Sequence, residues 1–95
     1  MRFEWDENKR LENFRKHGLD FVDACDMFAL PMLVGPDVRR DYGEERWLGI
    51  GLAGSRVSVV VFTERLDEAE RVVRIISMRK ALKHEREAYE KEIPY

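Results

Sequence analysis

The sequence predicts an α+β fold: a mostly antiparallel sheet of four to five strands, two N-terminal helices and one C-terminal helix. Three observations carry this. Apolar residues recur at helical spacing near both ends of the chain. Alternating or β-branched runs fill the middle, between Trp47 and Ser77. The turns between those runs are short, which favours hairpins and antiparallel neighbours. Ninety-five residues suit one core, so residues 1–95 read as a single domain.

Phe3-Glu4-Trp5 alternates apolar and polar and reads as a short strand. Asp6 is an N-cap for a helix from Glu7, with Leu11 and Phe14 on its inner face. Gly18 suits the left-handed position that ends it. Asp20 caps a second helix, where Phe21, Ala24, Cys25 and Phe28 fall at i, i+3, i+4 and i+7 and Pro31 is the stop. Met32-Leu33-Val34 lies between prolines, as an edge strand does. Asp37 to Glu45 is polar and reads as a loop. Three strands follow: Trp47 to Leu52, Val57 to Thr63 after the Ala53-Gly54-Ser55 turn, and Val72 to Ser77 beyond an acidic loop from Glu64 to Glu70. The last helix starts near Met78 or Arg79 and runs to about Glu92, burying Ala81, Leu82, Ala88 and Tyr89. Ile93-Pro94-Tyr95 leaves it. The helices are expected on one face of the sheet.

Composition excludes several classes. No apolar run approaches the roughly 20 residues of a membrane helix. The N-terminus lacks the basic and apolar regions of a secretory signal. Cys25 is the only cysteine, so no intrachain disulfide forms. Together these predict a cytoplasmic protein. The net charge of −2 does not announce a nucleic-acid binder. Its distribution is more informative. Residues 1–45 hold 7 basic against 11 acidic side chains, residues 46–95 hold 10 against 8, and 12 of the 17 basic residues are arginine. Arginine's planar fork matches phosphate and carboxylate, although surface ion pairs account for most such residues.

Two basic stripes stand out. Lys9, Asn13 and Lys16 share one face of the first helix, opposite Leu11 and Phe14, where two amines and an amide facing solvent would hold a phosphate backbone. From spacing alone an ordinary solvated face is the favoured reading, because exposed lysines are the norm. Arg79, Lys83 and Arg86 form a second stripe on the last helix. Glu85 sits within that helix's apolar arc and requires a partner, for which Arg65, Arg74 and Arg79 are the candidates. A structural ion pair is the favoured role. Arg74, between Val72 and Ile76 on one strand face, requires an anion. Arg65 and Arg46 stand at strand ends, where binding groups gather. His17 closes the first helix as a dipole-stabilising cation or serves as a general base, and His84 reads as surface. Two distant histidines and one cysteine make no zinc site. The dispersed glycines form no phosphate-cradling loop, and no serine has a triad around it.

These residues resemble a known family. Phe3-Glu4-Trp5-Asp6, Lys9, Asn13 and Lys16-His17-Gly18 are similar to the opening signature of BrnT toxins. Glu45-Arg46-Trp47 with Ile50-Gly51 resembles its middle segment. Arg74-Ile75-Ile76-Ser77-Met78-Arg79-Lys80-Ala81, with Glu85-Arg86 and Tyr89-Glu90, resembles its closing signature. The chain departs from the family pattern at Met78, where a small residue is common, at Leu82, often threonine, and at Arg39-Arg40, where an Asp-x-x-His-Ser loop is common. The resemblance implies a RelE-like fold, an RNA-cleaving toxin of a type II toxin–antitoxin system, and neutralisation by a BrnA-like antitoxin. That antitoxin carries the DNA-binding domain, so operator DNA is met only through the complex.

The expected chemistry is RNA cleavage without metal or cofactor, by attack of the RNA's own 2′-hydroxyl. The catalytic candidates are Arg65 and Arg79 first, then Lys9 and His17. Lys16, Asn13, Arg46, Arg74, Lys83 and Tyr89 are the substrate-binding candidates, with Tyr89 stacking or hydrogen bonding. The alternative is a non-catalytic regulator whose Arg79, Lys83 and Arg86 stripe docks an acidic antitoxin helix or DNA.

Overall fold

A computed structural model describes residues 1–93, so the expectation for Pro94 and Tyr95 lies outside the described residues. The elements are β1 (Arg2–Glu4), α1 (Glu7–His17), α2 (Phe21–Met27), β2 (Leu33–Pro36), β3 (Trp47–Ala53), β4 (Arg56–Asp67), β5 (Glu70–Lys80) and α3 (Lys83–Glu92). They form one five-stranded sheet in the order β1-β5-β4-β3-β2. Only β1 pairs in parallel, with Arg2 beside Val72 and Glu4 beside Arg74, and the other neighbours are antiparallel. The expected α+β class and the three-helix count hold.

Local chemistry sets the helix ends. The Asp6 carboxylate accepts from the Lys9 N–H at 3.1 Å, and the Asp20 carboxylate accepts from the Val22 N–H at 3.0 Å. Gly18, at φ 69°, returns its N–H to the Phe14 carbonyl at 2.7 Å.

Strand register divides the sheet into two faces. One row runs Gly49–Val60–Met78, the next Ile50–Val59–Arg79. The first face carries the main core: Val60, Phe62, Val73, Ile75 and Met78 pack against Leu19, Phe21, Ala24 and Met27 from α2 and its entry. Gly51 permits this approach, since a Cβ there would stand 2.6 Å from the Met32 Cγ. On the second face α3 lies over β3 and β4, and its Tyr89 is 2% exposed. Helices therefore cover both faces rather than one.

Four local expectations are corrected. Leu11 and Phe14 are 54% and 53% exposed, while Asn13 is buried. Helix α1 is thus turned so that Asn13 faces the sheet. The reason lies at the sheet edge. β1 covers β5 only to Arg74, leaving the N–H of Met78 without a strand partner. The Asn13 Oδ1 accepts that N–H at 3.1 Å, and its Nδ2 donates to the Leu19 carbonyl at 3.2 Å.

The acidic loop from Glu64 to Glu70 is instead a continuation of β4 and β5 around Glu68-Ala69, both at positive φ (51° and 70°). Ion pairs from Arg71 to Glu64 and from Arg2 to Asp67 tie down its charges. The last helix begins at Lys83, because β5 continues to Lys80. Within α3 the buried side chain is Tyr89, whereas Leu82 and Ala88 are exposed.

Candidate active site

The second face of the sheet is half covered by α3, and its uncovered end is cationic. Arg74 stands on β5 beside Thr63 of β4 and Glu4 of β1. It is exposed, and its guanidinium has no partner among the described residues. Arg65 is two residues beyond Thr63 on the same face and pairs with Glu4. Arg46 precedes Trp47, whose strand partner is Phe62, so extending the register sets it beside Thr63. The Asp37 N–H donates to the Arg46 carbonyl at 2.8 Å, which holds that extension. The Arg46 guanidinium lies 4.1 Å from the centre of the Tyr42 ring and 3.3 Å from a Glu44 oxygen. Arg46, Arg65 and Arg74 therefore gather on one face, within about two strand spacings, or roughly 10 Å, of one another.

Arg79 lies on the same face, five residues along β5 from Arg74, or about 16 Å. Its guanidinium donates to both Glu85 oxygens, at 2.7 and 3.0 Å, and to the Lys80 carbonyl at 3.3 Å. Glu85 also accepts the Leu82 N–H at 2.8 Å, which fastens the first turn of α3 to the strand. The Arg79 hydrogen bonds, with help from the Leu82 N–H, hold the Glu85 carboxyl below its usual range against a smaller opposing effect of burial. Glu85 thus forms a partly buried ion pair with Arg79, rather than with Arg65 or Arg74.

A third group lies at the free edge of β5. A hollow of about 200 Å³ is lined by Lys9, Asn13, Lys16 and His17 of α1 with Ile76 and Ser77 of β5, and Glu12 on its rim. Val61 pairs with Ser77 and Phe62 with Ile75, so Ile76 is the extra residue of a β-bulge. The bulge re-aims the strand where it meets α1. The side chains of Lys9, Lys16 and His17 have no partner among the described residues. Asn13 does not face solvent, since both ends of its amide are engaged in the fold.

Other candidates stand apart. Lys83 is exposed on α3 and lies 4.0 Å from Glu87. Arg79 belongs to a strand, so the helical stripe of Arg79, Lys83 and Arg86 does not exist. Tyr89 is buried and offers no ring face to a ligand. Arg74 and Arg79 stand about 16 Å apart along β5, so Arg65, Arg74 and Arg79 do not converge on one phosphate-sized hollow. The arginines form an open surface, and the hollow at its edge belongs to α1.

Sequence reasoning missed Thr63 and Ser77, the hydroxyls between these cations, and Glu4, the counter-ion of Arg65. Their alternation with core residues on β4 and β5 was the available signal. It also missed the loop hollow of about 380 Å³ bounded by Asp37, Arg40, Tyr42, Arg46 and Trp47. There the fully covered Asp37 carboxylate takes two bonds of 2.8 Å from Arg39, which lower its pKa to about 2. Arg40 and Arg46 both lie over Tyr42. Among the described residues, no three His, Cys, Asp or Glu side chains gather as a metal would need, and no helix is long and apolar enough to cross a membrane.

No curated protein matches the chain. A family model does, over residues 5–85, and its description reads "Ribonuclease toxin, BrnT, of type II toxin-antitoxin system". The matched span runs from the end of β1 to the first turn of α3, and so includes Arg46, Arg65, Arg74, Arg79 and the edge hollow. The chain belongs to the BrnT family of ribonuclease toxins of type II toxin–antitoxin systems.

Proposed function

We propose that the arginine face of the sheet cleaves RNA without a metal. The observation that carries this reading is Arg74. It is an exposed guanidinium without a partner, flanked by Arg46 and Arg65 and adjoining a hollow lined by two amines and an imidazole. Glu4 and Glu44 balance Arg65 and Arg46, which leaves the Arg74 guanidinium open to an incoming anion. Phosphate is the anion whose geometry the guanidinium fork fits.

In this reading the scissile phosphate rests on Arg74, with Arg65 and Arg46 to either side. The 2′-oxygen of the RNA forms a bond to phosphorus, and the bond from phosphorus to the 5′-oxygen breaks. A proton leaves the 2′-hydroxyl and a proton reaches the departing 5′-oxygen. In this reading His17, Lys9 and Lys16, which line the hollow at the β5 edge, exchange those protons or hold the neighbouring phosphate. Arg65 stabilises the charge that grows on the non-bridging oxygens once it loosens from Glu4, while Arg79, about 16 Å along β5, holds a neighbouring phosphate once it loosens from Glu85. Those carboxylates keep the two guanidinia oriented in the free protein. A BrnA-like antitoxin would silence the site by offering carboxylates to the same arginines, and operator DNA would be met only through that complex. The setting is the cytoplasm.

The test is to incubate the purified chain, free of antitoxin, with single-stranded RNA in EDTA and to analyse the ends. Fragments carrying a 2′,3′-cyclic phosphate and a 5′-hydroxyl are expected. RNA left intact would favour the non-catalytic docking role instead.

A further inference from the structure

Beyond Arg79, at the far end of β5 from Arg74, lies a second cationic concavity outside the site described above. It measures about 420 Å³ and is bounded by Arg56 and Lys80 with Arg86 and Glu90 of α3. Three elements deliver these groups. The turn at Gly54, φ 64°, brings Arg56 onto the start of β4. Lys80 is the last residue of β5. The Ala81 N–H donates to the Val57 carbonyl at 3.2 Å, which holds the strand ends together beneath α3.

The charges here are not balanced by the fold. The side chains of Arg56 and Lys80 have no partner among the described residues. Arg86 reaches Glu90 only at 4.0 Å. By contrast, Arg2 is paired closely with Asp67, Arg10 with Glu7 and Asp20, and Arg39 with Asp37. Three cations sharing one distant carboxylate repel one another unless an anion enters.

We propose that this hollow is a subsite for a backbone phosphate of single-stranded RNA, several nucleotides away from the phosphate at Arg74. The inference rests on the RNA reading above. It commits to RNA because the hollow opens at the end of the strand that carries Arg74, about 20 Å from it, a distance that an extended polyanion of several nucleotides spans. No aromatic side chain lines the hollow, so recognition there is of phosphate and not of a base.

Binding is measured with RNA whose 2′-hydroxyls are methylated, which cannot be cleaved by 2′-oxygen attack. Two oligonucleotides, of roughly four and roughly twelve nucleotides, are titrated against the intact chain by fluorescence anisotropy at several salt concentrations. The longer one binds the natural protein more tightly. The double variant Arg56→Gln, Lys80→Gln loses most of that advantage, and its slope of log K against log salt for the longer oligonucleotide falls by about 1.4, two phosphate contacts. Glu90→Gln acts in the opposite sense and tightens binding of the longer oligonucleotide, which a merely misfolded variant would not do. An unchanged length advantage and salt slope in the double variant overturns the proposal. So does a double variant that keeps its RNA binding but loses affinity for a poly-glutamate peptide, which would assign the hollow to an acidic protein segment. Should the natural chain show the length and salt dependence yet leave unmodified RNA uncut, the subsite stands and the nuclease reading falls.

Discussion

The two faces of the sheet are built by the same strands and have opposite characters. On the first face, Val60, Phe62, Val73, Ile75 and Met78 are each at most 1% exposed and hold α1 and α2. On the second, Thr63, Arg65, Arg74 and Arg79 alternate with those residues along β4 and β5. The main core therefore rests on one set of alternate positions, while the other set combines buried Val59 and Val72 with the cations proposed to meet RNA. A substitution that damages one face should leave the other nearly untouched.

The largest effect on stability belongs to the first face. Phe62→Ala empties a buried site against Phe28, whose ring centre is 4.9 Å away. It should cost about 3–5 kcal/mol in urea denaturation. Asn13→Ala follows. It leaves the Met78 N–H and the Leu19 carbonyl without partners inside the protein, at a cost of about 1–3 kcal/mol in the same assay. A near-neutral Asn13→Ala would mean that water or a shift of α1 replaces the plug, and that α1 is anchored by something else.

Acid stability sharpens the comparison at the loop before β3. The Asp37 pKa is depressed to about 2 from its usual 3.8, chiefly by Arg39. Its contribution is therefore fully present above about 3.8 and fades as pH falls toward 2. Asp37→Asn should flatten the decline in stability across that window and leave the slope near neutral pH unchanged. Denaturation midpoints measured at several pH values would show this. An unaltered acid limb would place the titrating group elsewhere.

Much of the architecture was legible in the sequence because its signals are local. The Asp6 and Asp20 caps, Gly18, the alternation in β3 and the β-branched β4 each have a mechanism that acts within a few residues. What escaped depends on distant partners. The facing of α1 was reversed because Leu11 and Phe14 are the apolar residues, whereas the decisive contact is an asparagine bonded to a strand 65 residues away. The hairpin at Glu68-Ala69 lacks the Asn-Gly signature of its turn, and its strand ends are charged, so they read as a loop. The start of α3 was placed early because Arg79 and Lys80 suit a helix as well as a strand, and only the pairing of Val59 with Arg79 decides between them. For the candidate site, the residue types were readable. Their grouping into Arg46, Arg65 and Arg74 on one side, the α1 hollow at the edge and the Arg79–Glu85 pair followed only from strand register.

Arg74→Ala should have the smallest effect on stability of all, within about 0.5 kcal/mol, because its side chain is exposed and unpartnered. It is also the most direct test of the claim that the second face carries the chemistry. RNA cleavage by Arg74→Ala and by the natural chain would be compared at equal folded concentration. The account predicts an unchanged unfolding midpoint with cleavage reduced at least about a hundredfold, the scale of losing one positioned charge at a reacting centre. Full cleavage by the variant would contradict it.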